Sequence, residues 1–149
     1  LGALTARKSV VTWPSGAHGN TYGGNPVASA AALATIDLIQ NGYLDNAREM
    51  GQYMQEALEE IKSMHETIGD VRGIGLMQGV EFVEDQGSKK PAKKLRDRVE
   101  KNAFEHGLIT LGCGQSTIRF APGLSIEKEE IDRGLEIFNH AVHLAEQER

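Results

Sequence analysis

The segment Gly16-Ala17-His18-Gly19-Asn20-Thr21-Tyr22-Gly23-Gly24-Asn25-Pro26 places the strongest constraint on what this chain can fold into. Its four glycines deny it both a packed helix and a clean strand, so residues 13–26 read as a long loop. The next stretch has the opposite character. From Val27 to Ile39 only Asp37 carries a charge. Pro26 suits a first helical position, where its missing N–H would be unpaired anyway, and Asn25 suits the N-cap. A helix that is apolar nearly all round belongs between two layers rather than on a surface, and Asn41-Gly42 ends it. A long glycine loop feeding such a helix implies a layered fold, and long loops in compact domains tend to be functional.

The rest of the chain reads as α+β. Leu1-Gly2-Ala3-Leu4-Thr5-Ala6 has the look of a short apolar strand lacking its entry, which leads us to expect a fragment of a longer protein. From Tyr43 to about Met64, Leu44, Ala47, Met50, Gly51, Met54, Leu58 and Ile61 recur at three-four spacing and predict a second helix. Val71 to Val83 reads as extended, with Ile74, Leu76, Val80 and Phe82 on one face. Pro91 to Glu105 predicts a third helix with Leu95, Val99, Ala103 and Phe104 on its apolar side. Residues 108–111 and 117–121 read as an antiparallel strand pair around a loop at 112–116. A last helix begins near Ile126, capped by Ser125 or its successor, with a core stripe of Ile131, Leu135, Phe138, Val142 and Leu144. The sum is a small sheet covered by helices.

Composition closes several routes. With 149 residues there is material for one modest core, and 5% aromatics make that core aliphatic. A formal net charge of −5 argues against general nucleic-acid binding. The basic run Lys89, Lys90, Lys93, Lys94, Arg96, Arg98 and Lys101 carries no interleaved aromatics and reads as a solvated helix face. The single cysteine, Cys113, allows neither an internal disulfide nor a Cys-rich metal site and reads as passive. His140 and His143 share a helix face without a third ligand at a useful spacing. With no apolar run of membrane length and no signal peptide, the expectation is a soluble cytoplasmic protein.

Two places could carry chemistry. In the loop, backbone N–H groups and the Thr21 hydroxyl could cradle a phosphate oxygen beside a helix N-terminus; the other reading is a glycine-rich connection. Arg119 lies in the apolar stretch Ile118-Arg119-Phe120-Ala121-Pro122. A guanidinium there needs a partner, either an internal carboxylate or a ligand carboxylate held in two-point contact.

Four segments, in order and in register, resemble the class III pyridoxal-phosphate aminotransferases. His18-Gly19-Asn20-Thr21-Tyr22-Gly23-Gly24-Asn25-Pro26 resembles their H-G-S-T-[FY]-G-G-N-P. Leu1-Gly2-Ala3-Leu4 is similar to the strand after the cofactor lysine. Residues 71–82 resemble V-R-G-x-G-L-M-x-G-[IV]-E. Residues 118–122, with Ile126 and Glu129-Glu130-Ile131, resemble the C-terminal [IV]-R-x-x-P-P-L and last helix. The flavour is nearest to 4-aminobutyrate aminotransferases, with acetylornithine and ornithine aminotransferases as near relatives.

The resemblance implies a C-terminal fragment of the fold-type I fold. Residues 1–25 would be a remnant of the large cofactor domain with its phosphate loop, 26–66 linking helices, and 67–149 the small α+β domain. It implies pyridoxal 5'-phosphate as cofactor, bound by the Thr21 hydroxyl and the Asn20 backbone N–H across a homodimer interface. Arg119 would meet a substrate carboxylate, or an active-site glutamate in the ω-amino-acid enzymes. The substrates would be an amino acid, such as 4-aminobutyrate, and a 2-oxo acid. The Schiff-base lysine would lie upstream of Leu1, so this chain holds no catalytic residue and is expected to be inactive alone. Gly123 replaces the second proline of the motif, which should loosen the turn after Arg119. The alternatives are an inactive dimerisation or regulatory module, or an aminomutase or racemase of the same family.

Overall fold

The structure is a computed structural model that describes residues 2–148. It divides into two compact units, Leu1–Gly42 and Tyr43–Arg149. In the first unit the main regular element is α1 (Pro26–Leu38). Its start follows the residues: the Asn25 side chain accepts from the Ala28 N–H at 3.0 Å, and Pro26 fills the first turn. Beyond Leu38 the backbone leaves helical values at Asn41 and Gly42.

Two expectations fail in this unit. No residue of α1 is buried; Val27 is 77% exposed and Leu33 70%. Its apolar faces find no second layer within the unit. The strand expected at 1–6 is also missing: Leu1 lies outside the described residues, and residues 2–6 are irregular and exposed. A strand is stabilised by its ladder partners, and among the described residues no other strand belongs to this unit.

The second unit has a core. Its elements are α2 (Leu44–Met64), β1 (Ile68–Ile74), β2 (Met77–Phe82), α3 (Lys93–Glu105), β3 (Leu111–Cys113), β4 (Thr117–Phe120) and α4 (Lys128–Gln147). The four strands form one antiparallel sheet in the order β1-β2-β4-β3. One face supplies Ile68, Val71, Val80, Phe82, Ile118 and Phe120 to the core. Against them pack Met54 and Leu58 of α2, Leu95 and Val99 of α3, and Leu135, Phe138 and Val142 of α4. Phe138 is the hub, meeting the rings of Phe120 at 5.0 Å and Phe82 at 6.3 Å edge-on. Among the described residues no helix is long and apolar enough to cross a membrane.

Several boundaries move. The extended stretch at 71–83 is a hairpin that turns at Gly75-Leu76. Gly75 has φ +53, and a Cβ on Gly51 would lie 2.3 Å from the Gly75 carbonyl carbon, so α2 seats directly on the turn. The turn reverses the face assignment: Leu76 is buried, but Ile74 is 85% exposed on the sheet's outer side. The strand expected at 108–111 forms at Leu111–Cys113 instead, taking in part of the expected loop, with Cys113 opposite Thr117. Pro91 makes a bridge to Val83 and α3 starts at Lys93. Phe104, expected on the apolar side of α3, is exposed. The last helix is capped by Glu127, not Ser125, in a box where Glu130 reaches back to the Glu127 N–H.

Candidate functional site

The first candidate feature is the loop before α1. Asn20 makes an Asx turn, its side-chain oxygen accepting from the Tyr22 N–H at 2.8 Å. Backbone bonds from Gly23 to the Asn20 carbonyl and from Asn25 to the Tyr22 carbonyl close the two following turns. The N–H groups of Asn20, Thr21 and Gly24 and the Thr21 hydroxyl make no hydrogen bond to described residues. Gly24 has φ +72, and a Cβ there would meet nothing. This leaves an exposed row of neutral donors beside a helix N-terminus, chemistry that suits a phosphate oxygen.

The second feature is Arg119. Its neighbours Ile118 and Phe120 enter the core, so alternation turns Arg119 to the outer, helix-free face of the sheet. There it lies between Leu111 of β3 and Gly79 of β2. It is exposed, and it pairs with no carboxylate among the described residues. The internal salt bridge, one of the two readings left open by the sequence, is therefore not formed. Arg119 lines a cavity of about 470 Å³ whose walls include Met54, Leu108, Ile109, Phe120, Pro122 and Leu135. The guanidinium itself stands on the outer face, away from the core-facing walls Met54, Phe120 and Leu135, where an unpaired positive charge suits a carboxylate ligand.

The segment after Arg119 is tied down despite Gly123. Ile126 donates to the Gly123 carbonyl at 3.1 Å, and the Asn46 amide donates to the carbonyls of Leu124 and Ile126. Arg96 holds the other side. Expected on a solvated face, it is instead only 6% exposed and donates to the Thr117 carbonyl at 3.1 Å and the Cys113 carbonyl at 3.4 Å. A Cβ on Gly112 would lie 2.6 Å from the Arg96 guanidinium, so the glycine makes room for it. Arg96 thus clamps the β3–β4 pair to α3 two residues before Arg119. The signal was present: Arg96, Val99 and Ala103 share one helical stripe.

No motif singles out His65, yet it is buried. One ring nitrogen is 2.7 Å from Glu146 and the other 2.8 Å from Asn139, while Thr67 donates to the other Glu146 oxygen. The ring nitrogens and both carboxylate oxygens are bonded within that cluster, so it ties α2 to α4 rather than presenting a site. Of the other histidines, His140 stacks edge-on with His106 and His143 bonds Gln147.

The class III aminotransferase family model matches residues 1–142. The chain is 39% identical to the mitochondrial acetylornithine aminotransferase of Candida glabrata over 86% of its length and 28% of the relative's. It is 38% identical to a leucine/methionine racemase of Thermococcus litoralis, covering all of this chain and 34% of that one. It is 37% identical to a 4-aminobutyrate aminotransferase of Escherichia coli, covering 99% and 35%. Among solved structures, a Bacillus anthracis aminotransferase superposes with a TM-score of 0.81 at 33% identity, over 86% of this chain and 30% of that one. The chain therefore spans about a third of the length of the relatives it matches. Its small antiparallel sheet and helices are a part of the fold-type I fold of pyridoxal-phosphate transaminases. An α+β unit of that fold, matched almost end to end by the family model, makes this chain a member of the class III aminotransferase family.

Proposed function

We propose that this chain is the C-terminal part of a transaminase that moves an amino group from an amino acid, such as 4-aminobutyrate, to a 2-oxo acid. The observation that carries the reading is Arg119: an exposed guanidinium without a protein partner among the described residues, on a strand that also borders an apolar cavity. Pyridoxal phosphate, the cofactor of the family, supplies an electron sink when a substrate C–H bond ionises. The residues of this chain bind and orient. Thr21 and the Asn20 N–H hold the phosphate, within a homodimer whose loop serves the partner subunit. Arg119 grips the substrate carboxylate at two points and so aligns the C–H bond. By role, residues 1–25 belong to the cofactor domain, 26–66 link, and 67–149 form the small domain.

The test is a chimera in which this chain replaces the matching segment of the Escherichia coli 4-aminobutyrate aminotransferase. Glutamate formed from 4-aminobutyrate and 2-oxoglutarate is the expected result. Arg119→Gln should raise KM for the carboxylate substrates about 10- to 100-fold, the worth of a charge-assisted bond. A folded chimera that binds the cofactor yet turns over nothing would overturn the enzymatic reading in favour of an assembly module.

A second reading has its own observation. Racemases and an epimerase stand among the relatives at 36–40% identity, level with the aminotransferases. Inversion of a single amino acid by the chimera, with no 2-oxo acid present, would establish that chemistry instead.

A further inference from the structure

Resting on the reading of Arg119 as a carboxylate site, we infer that Arg72 is its positioning residue: by holding Glu81, Arg72 keeps the Arg119 guanidinium free for an anionic ligand. The register of the sheet carries the inference. On the outer face one row runs Arg72, Gly79, Arg119, Leu111 across β1, β2, β4 and β3. The next row runs Asp70, Glu81, Thr117, Cys113. Glu81 is two residues from Gly79 on β2, so it is a diagonal neighbour of both arginines. Diagonal neighbours in an antiparallel sheet are about 7–8 Å apart at the backbone, within reach of long side chains. Gly79 contributes no side chain between the two guanidiniums; the Thr117 methyl group lies 3.2 Å from where its Cβ would stand. They stand two strands, or about 10 Å, apart.

Glu81 therefore has two guanidiniums within reach and engages one. Its carboxylate is 2.6 Å from the Arg72 Nη1, which also reaches Asp70 at 2.8 Å. Asp70 explains the choice: two residues along the same strand, it fixes Arg72 in place, so joining that pair costs Glu81 less side-chain freedom than ordering Arg119 would. The Arg72 pKa is raised accordingly, first by its bond to Asp70 and then by that to Glu81. The other carboxylate at the cavity, Glu130, is committed to the capping box of α4. Arg119 is unpaired while its diagonal carboxylate neighbour, Glu81, is held by Arg72.

Chemical modification reads this directly in the chain as it stands. Phenylglyoxal labelling of Arg119, followed by peptide mass spectrometry, reports how free its guanidinium is; exposed Arg133 on α4 is the internal control. In Arg72→Gln, Glu81 is released and labelling of Arg119 should slow about twofold to fivefold, the range an exposed ion pair supports. In Arg72→Gln/Glu81→Gln the wild-type rate should return. Both side chains are surface groups, and an unchanged circular-dichroism melt verifies the fold. Unchanged labelling in the single variant overturns the inference. So does slowed labelling that the second substitution fails to rescue, since that would be a structural effect of losing Arg72. Glutarate serves as the carboxylate probe and should protect wild-type Arg119 better than the single variant. Absence of protection in the wild type, with the variant pattern intact, would overturn the carboxylate reading of Arg119 while leaving the hold on Glu81 standing.

Discussion

Helices α1 and α4 differ in a way that separates the two units. Helix α1 is the more apolar and buries nothing. Helix α4 carries Lys128, Glu129, Glu130, Asp132 and Arg133 in its first two turns, yet buries Ile131, Leu135, Phe138, Ala141, Val142 and Ala145. Total hydrophobicity does not decide burial; a stripe matched to a facing layer does. The apolar residues of α1 point in all directions, which suits a helix enclosed on several sides. An amphipathic helix needs one layer, and α4 has it in the sheet.

The largest effect that would break this comparison is in the core. Phe138→Ala should destabilise the second unit by about 3–5 kcal/mol, because its ring bridges Phe82 and Phe120. Denaturant unfolding measures it, and Leu33→Ala on α1 should shift the same curve by less than about 0.5 kcal/mol. Next comes Gly51→Ala. A methyl 2.3 Å from the Gly75 backbone forces α2 off the hairpin, at about 1–3 kcal/mol.

Two expectations sharpen the contrast from the side of the first unit. Exposed apolar surface on α1 should drive self-association, seen by light scattering at micromolar concentration, and Leu33→Glu should reduce it. A monomeric wild-type mass would show that this face needs no cover. The chain with pyridoxal phosphate, 4-aminobutyrate and 2-oxoglutarate should give no product above the cofactor-only rate. Lys8 lies in an exposed surface turn.

The smallest effect is electrostatic. The Lys128 ammonium, then the Tyr53 hydroxyl, hold Asp132 below the usual carboxylate range. A depressed folded-state pKa contributes stability above the unfolded value, near pH 4, and loses it as pH falls through the folded one. Asp132→Asn should therefore slightly lower the neutral plateau while leaving the acid end in place, so that the acid limb becomes flatter. Thermal melts between pH 2 and pH 7 would detect this, and a steeper acid limb would contradict it.

Much of the fold is legible locally. Three-four spacing marks α2 and α4, and Asn25-Pro26 marks the start of α1, because capping and periodicity act within a few residues. The differences cluster where distant groups decide. Alternation puts Ile74 on the core face only if the strand runs straight through Gly75, where the chain in fact turns onto Gly51, 24 positions earlier. The charge of Arg96 points to solvent, against its place on the buried stripe; its partners, the carbonyls of Thr117 and Cys113, belong to another hairpin. At the site, residue type and motif point to Arg119 and Thr21, but not to Arg72.

The sequence by itself determined the family, the helices and the residues worth suspecting, since these rest on short-range pattern and on motifs kept in register. Only the tertiary structure decided which of them are free to act. Glu81, the diagonal neighbour of Arg119, is assigned to Arg72 by strand register, over distances that no local pattern encodes. A guanidinium pairs with the carboxylate that the fold holds in the best geometry, so its availability is a property of the tertiary structure rather than of its neighbours in the chain.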